Sequence, residues 1–328
     1  MAPFQHLTPP STRPEFSDFP EYYEREIAPY LRGLENKRRD AVKTSAITGA
    51  AIGVVALLLL ALQPFGGFST QAGFFTGFFA VVAAFAILSN ARRTIADGLM
   101  SRICSKLGFG YAGERPRPHY LRQFSELKLF GRFNRESYED EIAGVYRGTE
   151  FILCEAHLKY KTSGKNSSTR TVFHGQLIVI DYPKAFFGKT VLRRDVGVLN
   201  RLGKPAREFS RVGLASSKFE SAFEAWGTDQ VEARDLLDPV VLERFLALEA
   251  LFGDAKIRAA FTEGQLIIAL ETGDKLNMGS MFEPLETPAR VEAILNEFDV
   301  IFDLIDLAVT RVDGRMDGAL TLDDVKTA

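Results

Sequence analysis

Hydrophobic residues are distributed along this chain in three different ways. Between Lys43 and Arg92 they run for forty-eight positions with no charged residue. On either side of that block they recur every three to four positions, the spacing of one helix face. From about residue 124 they alternate with polar residues, the spacing of strands.

The uncharged block contains two apolar stretches, TSAITGAAIGVVALLLLAL at 44–62 and AGFFTGFFAVVAAFAILSNA at 72–91. Nineteen or twenty residues at about 1.5 Å each reach the roughly 30 Å of a bilayer's hydrocarbon core. The stretch between them at 63–71, QPFGGFSTQ, carries the turn residues Pro64, Gly66 and Gly67. The pattern predicts two membrane-spanning helices joined by a short loop. A buried hairpin in a soluble core rarely runs this long without charge. A cleaved signal sequence would start nearer the terminus. Basic residues stand only outside the pair: Lys37, Arg38, Arg39 and Lys43 before it, Arg92 and Arg93 after it. That asymmetry predicts both termini in the cytoplasm of a bacterial cell, a multi-pass inner-membrane protein, and a periplasmic loop.

Small residues four apart point to close helix packing. Gly49 and Gly53 should lie opposite Ala84 and Ala80, or their neighbours Phe85 and Val81. Gly73 and Gly77 should face Ala61 and Leu57, or a second copy of the chain. No ionisable residue lies inside either stretch, so an ion or proton relay has no carrier there.

Outside the hairpin the expected order is as follows. Residues 1–19, rich in Pro, Ser and Phe, are expected to lack fixed structure. A cytoplasmic helix spans 20–43, opened by Pro20 and kinked at Pro29, with Tyr23, Ile27, Leu31 and Leu34 on one face. Residues 92–123 form a stalk helix and linker, with Ile95, Leu99, Ile103 and Leu107 in register and Gly108 as the stop. An α+β domain occupies 124–310 and an acidic flexible tail 311–328. Within the domain, EDEIAGVYRG, TEFILCEAHLKYK, TRTVFHGQLIVIDY and KTVLRRD read as strands. RVGLASSKFESAFEAWG adds two more, and AKIRAAFTEGQLIIALET reads as a hairpin around Glu263-Gly264. In TEFILCEAHLKYK, Cys154, Ala156, Leu158 and Tyr160 share one face and Glu155, His157 and Lys159 the other. This predicts an antiparallel sheet with one wet face. Asp238-Pro239 opens a helix expected to end at Gly253, and Thr287-Pro288 opens the last helix. The fold class is therefore α+β, a two-helix transmembrane hairpin followed by a cytoplasmic antiparallel sheet domain with packed helices.

An ordered set of blocks carries a resemblance: LFGRFNRESYEDEIAGVYRGTEFILCEAHLKY, VFHGQLIVIDYPKAFFGKTVL and FESAFEAWGTDQVEARDLLDPVVLERF, with the amino-terminal EYYEREIAPYLRGLENKRR and the hairpin. Together, over about residues 15–285, they resemble a bacterial membrane family known only as domain of unknown function 3137. The resemblance implies a membrane-anchored bacterial protein with a cytoplasmic domain. It implies no reaction and no catalytic residues.

Composition adds limits. With 40 Lys+Arg against 42 Asp+Glu, the net charge is −2, which excludes an overall basic footprint for nucleic acid. Cys104 and Cys154 are too few and too far apart for a disulfide framework or a C-x-x-C motif. GFGYAG matches G-x-G-x-x-G but follows a helix and precedes ERPRP, so it reads as a turn rather than a dinucleotide site. RVDGRMDGALTLDDV places Asp313, Asp317, Gly318, Leu320 and Asp324 as in a calcium loop, with Arg315 where an oxygen ligand belongs. Calcium binding and an acidic flexible tail both remain open there.

Glu155, His157 and His174 could meet across paired strands as a metal site, or simply populate a wet face. No catalytic set and no cofactor is indicated, and the expected partners are the lipid bilayer and a protein. That protein would be another chain or a second copy, reached through the hairpin or the cytoplasmic domain. Three functional readings result: a non-enzymatic membrane protein whose domain binds a partner or ligand; an accessory subunit of a transporter or envelope complex; and a membrane-tethered hydrolase using Glu155 with His174.

Overall fold

The computed structural model describes residues 7–62, 67–164, 167–194, 203–214, 217–251, 256–273 and 278–313. The chain divides into two units, Met1–Ile103 with Asn277–Asn296 and Cys104–Leu276 with Glu297–Ala328.

The first unit is helical. Proline at 29 has no amide hydrogen to donate to the carbonyl of Arg25, so a regular α-turn cannot close there. The chain widens instead into a π-turn over Tyr23–Ile27, a common way to absorb such a break. Before it stands the short helix α1 (Phe19–Tyr22), with Pro20 in its first turn. After it α2 (Ala28–Leu62) runs on through the first apolar stretch. Helix α3 (Gly67–Leu107) carries the second stretch. Both extend beyond the apolar segments, where Leu31, Ile95, Leu99 and Ile103 are fully buried. The Arg102 guanidinium lies 3.5 Å from the centre of the Tyr30 ring.

Residues 7–18, expected to lack fixed structure, form a 3-10 turn at Pro14–Phe16 instead. Leu7, Phe16 and Phe19 are buried. Burying a phenyl ring contributes about 1.5–3 kcal/mol, enough to offset the ordering of a residue or two.

A segment at 278–287 also belongs to this unit. Arg290 is buried and donates to the carbonyls of Met278, Ser280, Glu283 and Pro284. That one guanidinium cross-braces the segment from within. Glu35 and Arg38 of α2 hold it from outside. Glu35 accepts from the Leu285 amide at 3.1 Å, and Arg38 donates to the Met281 carbonyl at 2.7 Å.

Among the described residues, the second unit is built on one nine-stranded antiparallel sheet. Its strands are β1 (Gly110–Glu114), β2 (Arg135–Tyr146), β3 (Thr149–Lys161), β4 (Thr169–Asp181), β5 (Thr190–Arg194), β6 (Ser210–Val212), β7 (Phe223–Gly227), β8 (Lys256–Thr262) and β9 (Gln265–Glu271). Their order in space is β1-β2-β3-β4-β9-β8-β5-β7-β6.

Local chemistry fixes the turns. Arg147 and Gly148, and again Glu263 and Gly264, have positive φ at both central positions. Such two-residue turns follow the right-handed twist of the strands they join. Gly108, also at positive φ, ends α3. Its amide bonds to the Ser105 carbonyl and that of Phe109 to the Cys104 carbonyl, a Schellman stop. GFGYAG is therefore a helix stop running into β1, and the sheet begins at Gly110 rather than near residue 124.

Helix α4 (Leu121–Glu126) lies between β1 and β2, α5 (Ser217–Ala222) between β6 and β7, α6 (Gln230–Leu236) and α7 (Pro239–Leu251) between β7 and β8, and α8 (Pro288–Asp313) after β9. Asp229 and Asp238 cap α6 and α7 through their side-chain oxygens.

Both sheet faces are covered. On one, Cys154, Ala156, Leu158, Phe173 and Leu177 pack under Tyr120, Phe124 and Phe130. On the other, Phe151 meets Phe109, which also contacts Phe298 and Phe302 of α8. Tyr146 stacks on Phe302 at 4.2 Å. The expectation of one wet face is thus corrected. Phe151 and Leu153 supply the apolar positions that let the helix dock, and Glu155 beside them is buried. Around His157 and Lys159, and at Ser137 and Glu139 on the neighbouring β2, that face reaches water.

The expected Gly253 stop, the first four residues of the 63–71 loop, and the calcium-loop positions beyond Asp313 lie outside the described residues.

Candidate functional site

Small residues bring α2 and α3 together. The Ser45 hydroxyl donates to the Ala84 carbonyl at 2.8 Å. A Cβ added at Gly49 would lie 3.5 Å from that of Ala84. Ala56 and Ala80 are buried. A Cβ at Gly77 would lie 3.7 Å from Ala56, and one at Gly73 would lie 2.7 Å from Leu60 and 3.1 Å from the Ala56 carbonyl. Gly53 has nothing within 4 Å of such a Cβ.

The partners of Gly73 and Gly77 are therefore Leu60 and Ala56, one residue from the expected Ala61 and Leu57. A 3.6-residue turn lets only one of two adjacent residues face the partner helix. Gly73 and Gly77 are used within the hairpin.

The outside is different. Phe74, Phe75, Phe78, Phe79 and Phe85 of α3 are exposed, as are Val54, Leu57 and Leu58 of α2. In the most apolar eighteen-residue stretch of each helix only 6% and 11% is buried, whereas a core helix of a soluble protein hides most of its surface. These are the spans of a multi-pass membrane protein.

The cations beside the spans are not equivalent. Lys37, Arg39, Lys43 and Arg93 are exposed and Arg92 is half-buried. Arg38 is buried and bonded to Glu35 at 2.6 Å. The Arg38 guanidinium, with the Leu285 amide and Arg39 beside it, holds the Glu35 carboxyl down at about 2. Arg38 thus anchors the 278–287 segment.

In the sheet, the β3–β4 register sets His157 opposite His174 and Glu155 opposite Gln176. The imidazoles stack with centroids 4.1 Å apart and planes 13° apart. Glu155 Oε1 lies 3.7 Å from His174 Nε2, beyond hydrogen-bond reach. Burial, with His174 and Lys159 close by, pushes the His157 imidazole below its ordinary value. Gln176 is fully buried, and its amide has no hydrogen-bond partner among the described residues.

The three residues expected to converge are neighbours, but parallel stacking does not aim two nitrogens at one point. Among the described residues no group of three His, Cys, Asp or Glu is placed to hold a metal ion. Nor is a thiol at hand. Cys154 belongs to the opposite face, where burial pushes it up to about 12. Cys104 is likewise raised to about 12 by burial.

A feature that periodicity does not signal lies at the other end of the sheet. Arg193 on β5 is buried, 2.8 Å from Glu224 on β7. It donates to the Gly203 carbonyl at 2.6 Å. Next to it in register, Arg258 on β8 reaches Glu271 at 2.7 Å. Burial lowers the Arg193 pKa against the pull of Glu224. Two acids and two bases form a row across four strands. The doublet Arg193-Arg194 inside an apolar strand is its only trace in the sequence.

Comparison with known proteins adds the following. No curated protein matches the chain. Among solved structures, the crystal structure of the mycobacterial trehalose monomycolate transport factor A, TtfA, is similar over 61% of this chain and 94% of that one. The identity is 12% and the TM-score 0.33. The family model described as "Protein of unknown function (DUF3137)" matches residues 171–307, from the Phe173-His174-Gly175 block to the last helix. Over this segment, which is less than half of the chain, the sequence is similar to that family.

Proposed function

We propose that this protein is a non-enzymatic accessory subunit of a membrane complex, of the transporter or envelope kind. On this reading the hairpin lies in a bacterial inner membrane, both termini face the cytoplasm, and the sheet domain binds a protein partner there. The observation that carries the reading is the division of labour in the hairpin. Its small residues close its own seam, while a bulky phenylalanine face on α3 remains outward. Such a face offers shape and dispersion contacts to another membrane helix, in competition with lipid acyl chains. The flanking lysines and arginines support the orientation.

A photo-crosslinking amino acid at Phe78 in cells tests it. Adducts of one discrete mass are expected there, and none at Leu57 on α2. Lipid adducts alone at both positions would refute the reading. For orientation, Gln71→Cys should react with a membrane-impermeant maleimide added to intact spheroplasts. Reaction only after lysis would reverse the topology.

A further inference from the structure

The segment at 278–287 is braced more heavily than a connecting loop requires. Arg290 ties it internally through four carbonyls, and three contacts tie it to α2. Glu286 pairs with Arg32, the Leu285 amide with Glu35, and the Met281 carbonyl with Arg38. Numbers rise on α2 as they fall on the segment. The segment therefore runs antiparallel to the helix, and its Met281 end lies nearest the membrane span.

That end carries Phe282, which is 72% exposed, between buried Met281 and exposed Glu283. Its amide is held by the Ser280 hydroxyl at 3.1 Å. A phenyl ring held out into water by so much bracing loses roughly 1.5–3 kcal/mol relative to an apolar setting. The setting is within reach. From Arg38 to Thr44, where the apolar stretch starts, is six residues, a rise of about 9 Å. The headgroup zone occupies about 5–8 Å of that on each side of the hydrocarbon core. Exposed Lys37, Arg39 and Lys43 lie on the same stretch of α2. They suit an anionic or zwitterionic headgroup layer.

We infer that the 278–287 segment is an interfacial anchor, which seats Phe282 in the lipid headgroup layer beside α2. The hairpin then fixes depth, and Phe282 fixes the rotation of α2 about its axis. The inference rests on the hairpin's being embedded, as in the function proposed above.

The experiment uses the full chain in phosphatidylglycerol/phosphatidylcholine vesicles. Trp226 is the chain's only tryptophan, and its indole nitrogen has no hydrogen-bond partner among the described residues. Trp226→Phe therefore gives a silent background for Phe282→Trp, Phe78→Trp and Glu24→Trp. Phe282→Trp should emit at shorter wavelength than Glu24→Trp. It should be quenched by lipids spin-labelled near the headgroup and protected from iodide. Phe78→Trp should be quenched by lipids labelled deep in the acyl chain. If position 282 behaves like position 24 while 78 is quenched, the interfacial anchor is wrong and the hairpin stands. If 78 is also open to iodide, the embedding fails and the inference fails with it. A spin label on Phe282→Cys, with both native cysteines buried, reads the same depth without changing Trp226.

Discussion

Gly175 offers a sharp test of the sheet's construction, because what crowds it is backbone. A Cβ at this position would sit 2.1 Å from the Leu270 carbonyl oxygen, 2.7 Å from the Thr272 nitrogen and 3.1 Å from the Glu271 Cα. An ordinary carbon–oxygen contact needs about 3.3 Å, so Gly175→Ala must push β9 away from β4 by about 1 Å. The Gly273 amide donates to the His174 carbonyl at 3.0 Å, and Gln176 pairs with Leu270 in the next rung. Losing two such bonds costs about 0.5–1.5 kcal/mol each, and overpacking adds about 1–3 kcal/mol. A central value of about 4 kcal/mol lowers Tm by roughly 8–16 °C for a domain of this size. Thermal unfolding of the full chain in detergent, followed by Trp226 emission at one fixed scan rate, measures it. Gly148→Ala is the comparator. It has a positive φ of 79° and nothing within 4 Å of the added carbon, so it costs only about 1–2 kcal/mol. If Gly175→Ala melts no lower than Gly148→Ala, the close crossing of β4 and β9 is not a constraint.

Three further outcomes are expected. Glu224→Gln leaves Arg193 buried beside a neutral amide and should destabilise by about 3–5 kcal/mol. The double change Arg193→Met with Glu224→Leu should recover much of that loss, and denaturation of both variants decides it. Glu35 has its pKa lowered from 4.5 to about 2, so its stabilising share is complete above about pH 4.5. That share disappears as pH falls toward 2. Between these values the wild type should lose stability more steeply than Glu35→Gln, and equal slopes would sink the clamp. Cys104 and Cys154, both buried and raised to about 12, should stay unlabelled by maleimide at pH 7.5 until the protein is denatured. Rapid labelling of either in the native protein would place it at the surface.

Much of this fold is written locally. β3 occupies Thr149–Lys161, the segment TEFILCEAHLKYK itself, because thirteen residues of strand-forming composition end in turn residues on both sides. The Glu263-Gly264 turn and the Asp238-Pro239 helix start are legible for the same reason: each is a few residues whose backbone preferences act alone. Other features depend on distant partners. The sequence alternation around Glu155 looks amphipathic, yet a helix beginning at Pro288 covers part of that face. Arg38 reads as a topological cation, and only the fold reveals Glu35 and Met281 beside it. β1 was hidden in a glycine-rich stretch, since an edge strand of five residues needs little propensity once β2 offers a template. Of the histidine cluster, adjacency was readable from the β3–β4 pairing. The stacking that keeps its nitrogens from converging was not.

The strand order also sets a timetable for synthesis. Strands β1 to β4 form one contiguous ribbon, and β5, β7 and β6 form another. The two are neighbours only through β8 and β9. On the ribosome, therefore, the inner edges of β4 and β5 have no mate until residues 256–271 emerge. A nascent chain that stalls before Lys256 would expose two bare edges, which invite pairing with other polypeptides. The late hairpin converts two adhesive fragments into a single sheet, so premature termination in this gene should yield aggregates rather than a shorter working protein.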